Sequence, residues 1–322
     1  MTPPNPAAAR GGGRSGILLI DKPAGLTSHG VVARVRRLAG TRKVGHAGTL
    51  DPMATGLLIV GLNAATRLLT YMVGLDKAYR ATIRLGAATT TDDADGEITH
   101  LAPPPRVAAI APADIDRELA ALTGELQQVP SSYSAVKVDG RRAYERARSG
   151  EQVELRPRTV TVSALELLSS RRSAEGIELQ VTVECSSGTY VRALARDLGT
   201  ALGVGGHLTA LRRTRIGPFE LASAAELEGL DVAGRLISPA DAAGRLFESI
   251  RLSEDEAVDL RHGKQLAVGR PADGPLAAVA PDGTLVGLVS VREGRARTLV
   301  GFPPDEPDET DAPDGQDRET QA

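Results

Sequence analysis

The sequence predicts an α+β protein: a mixed-sheet domain reaching to about residue 245, then a small β-rich module at about 250–303. Three observations carry this. Strand-like and helix-like segments follow one another without the regular βαβ alternation of a parallel-sheet fold. Two runs alternate cleanly. In residues 77–85, Tyr79, Ala81, Ile83 and Leu85 share one face, with Arg80, Thr82 and Arg84 on the other; in residues 177–185, Ile177, Leu179, Val181, Val183 and Cys185 share a face. Finally, short apolar runs near 277–280, 284–291 and 297–302 surround the turn Pro281-Asp282-Gly283, as in a small sheet.

Each element has a local reason. Residues 16–21 are a short apolar run ended by Lys22-Pro23, hence a buried strand. Thr27 or Ser28 caps a helix that runs to about Ala39 and stops at Gly40. Residues 41–55 read as a loop, 56–62 as a buried strand, and 64–71 as a helix. Residues 89–96 are polar and acidic without calcium-loop spacing, so they read as a solvated loop. Residues 103–105 form a proline spacer, 113–123 a helix stopped by Gly124, and 130–150 a basic insertion with one short helix. Residues 158–168 and 177–185 are strands, 190–202 a helix, and 208–219 one or two strands. Ser253 with Glu256 makes a capping box that opens a helix.

Composition removes several function classes. Aromatics make up 2% of 322 residues, so the core is aliphatic. A single cysteine, Cys185, excludes an internal disulfide and a cysteine zinc site; its place at the end of an alternating run makes it a small buried hydrophobe. Histidines 29, 46, 100, 207 and 262 lack ligand spacing, so no metal is expected. Gly203-Val204-Gly205-Gly206 follows a helix rather than a strand, which argues against a dinucleotide fingerprint. No cofactor is expected. No apolar run approaches the ~18 residues of a membrane span, and residues 1–15 read as a disordered arm without a signal core, so the expected location is the cytoplasm.

The formal net charge is −3, yet residues 303–322 hold eight acids and one arginine; setting that −7 aside leaves +4 on the rest. The tail from residue 304 is expected to be disordered. Arginines gather in three places: Arg34, Arg36, Arg37 and Arg42 with Lys43; Arg141, Arg142, Arg146 and Arg148; and Arg212, Arg213 and Arg215. Any one cluster fits a solvated face, and three together favour a polyanionic partner.

The segment richest in chemistry is Gly45-His46-Ala47-Gly48-Thr49-Leu50-Asp51-Pro52. Glycines at 45 and 48 admit unusual backbone and close approach, and Pro52 sets an extended or turn conformation at Asp51. A carboxylate held rigidly beside open space can serve as nucleophile or general base. Alone, an Asp-Pro turn is more often only a turn.

Three segments in order change that weighting. They are Leu19-Ile20-Asp21-Lys22-Pro23-Ala24-Gly25 with Ser28; the Gly45–Gly56 stretch just described; and Ser187-Gly188-Thr189-Tyr190-Val191-Arg192 with Arg196-Asp197-Leu198-Gly199. Between them lies Asp76-Lys77-Ala78-Tyr79-Arg80. Together they resemble the bacterial TruB-type tRNA pseudouridine synthases over about residues 16–219, and residues 250–303 resemble, more weakly, the PUA-like domain that follows in these enzymes.

The resemblance implies a pseudouridine-synthase-type mixed sheet over 16–245 with an RNA-binding insertion at 130–150. It implies isomerisation of uridine-55 in the T loop of tRNA, with no cofactor and no obligatory protein partner. A monomer is expected. By the same likeness Asp51 is the nucleophile, acting at ribose C1′, at the uracil ring or in a glycal route. Tyr190 packs on the base and takes part in proton transfer at C5, and Arg192 partners Asp51. Tyr79 receives the flipped base, His46 contacts RNA, Leu211 lines the uracil pocket, and Asp21 and Lys22 support the wall. The arginines at 141, 142, 146 and 148 grip the RNA backbone. Taken singly, Tyr79 reads as a core tyrosine and Arg192 as a surface helix arginine. Two other functions remain open: an RNA-binding protein that aids tRNA folding without catalysis, and the same chemistry on ribosomal RNA within a guided complex.

Overall fold

A computed structural model describes residues 13–131, 155–174, 176–269 and 272–305, with the strand backbone of 137–138 and 141–142. Among the described residues the principal sheet has ten strands. β1 (Gly16–Lys22), β2 (Val44–Ala47) and β3 (Thr55–Leu62) form its first half. β4 (Lys77–Leu85) follows, then a small separate ladder of β5 (Ala87–Thr89) and β6 (Ile98–Leu101). β7 (Gly124–Gln128), a short hairpin of β8 (Lys137–Val138) and β9 (Arg141–Arg142), and the pair β10 (Arg158–Ser173) and β11 (Gly176–Cys185) come next. β12 (Gly206–Ile216), β13 (Phe219–Glu220) and β14 (Ala225–Glu226) close the order β14-β1-β3-β12-β4-β11-β10-β7, with β2 on β3 and β13 on β12.

The joint of this sheet is β12. It runs parallel to β3, with Arg212 opposite Thr55 and Arg213 opposite Gly56, and antiparallel to β4, with Leu211 opposite Ala81. Gly56 has φ +98°, and a Cβ there would collide with the Arg213 backbone, so the β3–β12 junction requires glycine. The alternation read in β4 holds: Tyr79, Ala81, Ile83 and Leu85 are buried, and Lys77 joins them on the same face.

Helix Ser28–Ala39 is built as its sequence requires. Thr27 Oγ1 accepts from Gly30 N at 2.9 Å, and Gly40 ends the helix in the left-handed conformation. Val31, Val32, Val35 and Ala39 face the sheet; each valine contributes about 1.5 kcal/mol or more by burial. Helix Val191–Ala201 buries Val191, Leu194, Ala195 and Leu198, spaced for one stripe. It packs with Leu85 and Leu208, and so ties the residues after Tyr190 to β4 and β12.

The C-terminal strands β15 (Ser249–Arg251), β16 (Leu266–Ala267), β17 (Leu276–Val279), β18 (Leu285–Arg292) and β19 (Arg295–Gly301) form a second sheet. The expected capping box is present: Ser253 Oγ accepts from Glu256 N at 3.2 Å and the Glu256 carboxylate accepts from Ser253 N at 2.8 Å. Ala277, Leu285, Leu288 and Phe302 share one apolar cluster with Ile17, Leu19, Leu57 and Phe219 of the large sheet.

Several expectations need correction. The loop at 41–55 contains β2, because residues 44–47 complete the edge of β3. Gly45 therefore has no left-handed φ; only Gly48, at φ +78°, does. Residues 64–71 divide into a 3-10 turn, Asn63–Leu68, and a helix, Leu69–Val73. The proline spacer opens a helix, Pro104–Ala108, since proline fits a first turn. Strand 158–168 runs on to Ser173 by pairing with β11. The loop at 89–96 is solvated only in part: Thr90, Ala94 and Asp95 are exposed, but Asp92 and Asp93 are buried. The arm and tail are ordered where they meet, as Ser15 N donates to Asp305 Oδ2 at 2.8 Å. In the insertion, residues 137–138 and 141–142 form two short strands; the expected short helix, Arg146, Arg148, the remaining residues of 132–150, residues 1–12 and residues 306–322 lie outside the described residues.

Candidate active site

The loop carrying Asp51 is tied down on both sides. Ser28 Oγ donates to Leu50 O at 3.1 Å and accepts from Leu50 N at 2.9 Å. Pro52 O accepts from Gly25 N at 2.9 Å and from Lys22 Nζ at 3.3 Å. Gly48 O accepts from Arg213 Nη2 at 2.8 Å. Ala54 N donates to Asp51 O at 3.1 Å, which closes a turn. Three separate segments thus fix residues 48–52 and leave the Asp51 side chain facing a cavity of about 260 Å³. That cavity is lined by Asp51, Lys77, Tyr79, Tyr190, Arg192, Leu211 and Arg213, among others.

Arg192 is buried, not on the surface. Its Nε lies 3.0 Å from Asp51 Oδ2, and its Nη1 lies 3.2 Å from Asp93 Oδ2 and donates to Thr91 O at 2.8 Å. The arginine is 5% exposed, Asp93 also 5%, and Asp51 37% through the cavity mouth. Burial raises the Asp51 pKa above the ordinary carboxylate range, and the Arg192 guanidinium opposes that rise. The neighbouring Asp92 carboxylate is raised by burial and opposed by Arg196, 3.2 Å away.

Around these carboxylates the cations are in excess. Lys22 is fully buried; desolvation lowers it to about 8, although Asp51 pulls the other way. Lys77 is also lowered to about 8, by burial first and by Arg213 second, and its Nζ donates to Val73 O and Leu75 O at 2.7 and 2.6 Å. Such a site favours an anionic ligand.

Tyr190 is held by its backbone: its N donates to Gln128 Oε1 at 2.8 Å and its O accepts from Gln128 Nε2 at 3.1 Å. The Tyr79 phenol is deeply buried, which raises its pKa, with Arg213 beside it opposing the rise. Asp21 pairs with Arg212 at 2.6 Å, so it braces β12 against β1 rather than facing Asp51. His46 is half-buried, its ring 5.3 Å from His29 and its pKa lowered by burial; it does not line the cavity.

The structure therefore brings together Asp51, Arg192, Tyr190, Tyr79, Leu211 and, beneath them, Lys22. It places His46 and Asp21 at one remove, and Arg141 and Arg142 on the hairpin strand β9. Asp93, Gln128, Lys77 and Arg213 are components that sequence reasoning missed. The Arg212–Arg215 group is not a surface patch: Arg212 pairs with Asp21, Arg213 is 1% exposed, and Arg215 pairs with Glu184 at 2.9 Å.

Residues 36–191 match the N-terminal domain of the TruB family pseudouridylate synthases. Residues 192–250 match a tRNA pseudouridylate synthase B C-terminal domain, and residues 247–303 the C-terminal part of tRNA pseudouridine synthase II. The fold is thus that of a pseudouridine synthase. The chain is 63% identical over 295 residues to tRNA pseudouridine synthase B of Leifsonia xyli, covering 91% of this chain and 98% of that protein. It is 54% identical over 302 residues to the protein of that name from Arthrobacter, covering 90% and 97%. A Cbf5-Nop10-Gar1 complex contains a chain of like fold, with TM-score 0.66 and 26% identity over 90% of this chain and 85% of that one. The chain belongs to the TruB family of pseudouridylate synthases.

Proposed function

We propose that this chain isomerises uridine-55 in the T loop of tRNA to pseudouridine, with Asp51 as its reacting carboxylate. Conversion of a tRNA uridine to pseudouridine is the activity of its family. The position in the T loop and the residue roles are part of the proposal. The observation that carries it is the Asp51 carboxylate, open to a cavity between Tyr79 and Tyr190 and braced by Arg192 at 3.0 Å.

A stacked uridine must leave its loop to reach that carboxylate, at a cost of a few kcal/mol. Tyr79 and Tyr190 give the extruded base aromatic surfaces, and Leu211 an apolar wall. The N1–C1′ bond breaks, the uracil turns within the closed space, and C5 bonds to C1′. C5 gives up its proton and N1 gains one, so no redox change is involved. Arg192 opposes the rise in the Asp51 pKa that burial causes, and so favours the ionised carboxylate. Tyr190, beside the base, is the group placed to move the C5 proton. The surrounding cations suit the phosphates of the flipped nucleotide. Residues 16–245 hold this chemistry, the 130–150 insertion with Arg141, Arg142, Arg146 and Arg148 grips the T arm, and residues 250–303 form a PUA-like support. His46 contacts RNA at the rim. The enzyme works as a monomer without an obligatory protein partner, in the cytoplasm; among the described residues no helix is long and apolar enough to cross a membrane.

The test is tritium release from a tRNA transcript labelled at uracil C5. Wild type should release label, and replacement of the T-loop uridine by cytidine should abolish it. Release that persists from that transcript would overturn the assigned position.

A further inference from the structure

We propose that Arg213 is a positioning residue for the reaction, setting both the loop that carries Asp51 and the phenol of Tyr79. This rests on the isomerase reading above. The side chain is 1% exposed and is one of the largest fully buried groups in the molecule. Its Nε donates to Leu57 O at 2.8 Å on β3, and its Nη2 donates to Gly48 O at 2.8 Å, three residues before Asp51. Its guanidinium lies beside the Tyr79 phenol and also borders the cavity. One planar group therefore touches a central strand, the catalytic loop and the base-receiving tyrosine.

Physical cost makes the arrangement informative. A buried cation is expensive unless hydrogen-bonded or paired. The strand neighbours Arg212 and Arg215 each have a carboxylate partner, at 2.6 and 2.9 Å; Arg213 has no such ion pair among the described residues and relies on carbonyl oxygens. An apolar side chain would fill the same space at lower cost, so the fork geometry is what the site uses. Gly48 suits the contact by its backbone, since its φ of +78° disfavours any other residue. Lys22, bonded to Pro52 O, holds the opposite end of the loop. The Asp51 backbone is thus suspended between two buried cations, one on β1 and one on β12.

Lysine at 213 keeps the charge but reaches only one carbonyl at a time. The full-length wild type, Arg213→Lys, Tyr79→Phe and the double variant are compared. The readings are single-turnover tritium release at saturating enzyme, tRNA Kd, and deuterium uptake by peptide segment. We expect Arg213→Lys to slow single turnover roughly 10²-fold, the scale of a small misplacement of reacting groups, with Kd nearly unchanged. Uptake should quicken at residues 45–54 and stay as in wild type across β15–β19. The double variant should lose less than the product of the single losses, as coupled residues do. A wild-type turnover rate, a rate loss matched by Kd, a general loss of protection, or multiplicative effects would overturn the proposal. A wild type that binds tRNA but releases no label would sink the isomerase reading instead, and the deuterium comparison would still decide the positioning role.

Discussion

The two sheets bury different things. Every buried polar or charged residue among those described, from Ser15 through Lys22, Lys77, Asp93 and Arg192 to Arg213, lies in the first 213 residues. The C-terminal sheet packs Leu252, Leu260, Leu276, Val286 and Val289 into a wholly apolar cluster. An interior built for stability alone uses the second solution, because desolvating a charge costs more than burying a methylene gains. The first sheet carries its charges where the cavity opens, so its interior is shaped by chemistry at the expense of stability.

That contrast breaks most sharply at Asp51. Asp51→Asn should abolish tritium release. Its carboxyl pKa is raised in the fold, so the folded protein binds that proton more tightly than the unfolded chain does. The stability this gives is present at low pH and is lost as pH rises through the folded value. Above that value the ionised group is a liability, and there Asp51→Asn should match or exceed the wild-type Tm. A clearly lower Tm would show that the Arg192 pair outweighs the burial.

Asp93→Asn should damage both quantities. It takes from the buried Arg192 a carboxylate 3.2 Å away, a change of about 3 kcal/mol when a buried pair is broken. Turnover should also fall on the order of 10²-fold as the guanidinium shifts away from Asp51. Thermal melts and single-turnover rates check both, and unchanged turnover would show that Asp51 alone orients Arg192.

Leu260→Ala is the complementary case. Its cavity in the apolar cluster should cost roughly 2–5 kcal/mol. The rate per folded molecule should stay at the wild-type value, measured well below the melt. A slowed rate would mean that the apolar sheet shapes the site after all.

The smallest expected effect is a pH trend. Lys22 and Lys77 are lowered to about 8, so between pH 8 and 9 the unfolded chain holds more protons and stability rises with pH. Lys77→Met should flatten the rise in Tm over that interval.

How much of this was legible varies with range. Helix Ser28–Ala39 follows from Thr27, Gly40 and valine spacing, all local. The pocket face of β4 follows from its alternation. Arg192 reads locally as one more helix arginine, and only the family resemblance pointed it at Asp51. Asp93 was lost because acids among threonines look solvated, whereas its partner Arg192 lies 99 residues away in sequence. Arg213 hid among three arginines. Its one local signal is parity with Leu211, which puts both on the cavity side of β12.

The apolar cluster shared by the two sheets bears on how the chain matures. Ile17, Leu19 and Leu57 are among the first residues made, and they pack in one cluster with Leu285, Leu288 and Phe302. Chains leave the ribosome N-terminus first. The sheet that holds Asp51 therefore waits, one side uncovered, until nearly the whole polypeptide has emerged. A nascent chain halted at residue 245 should bind a holdase chaperone, and one released after residue 305 should not.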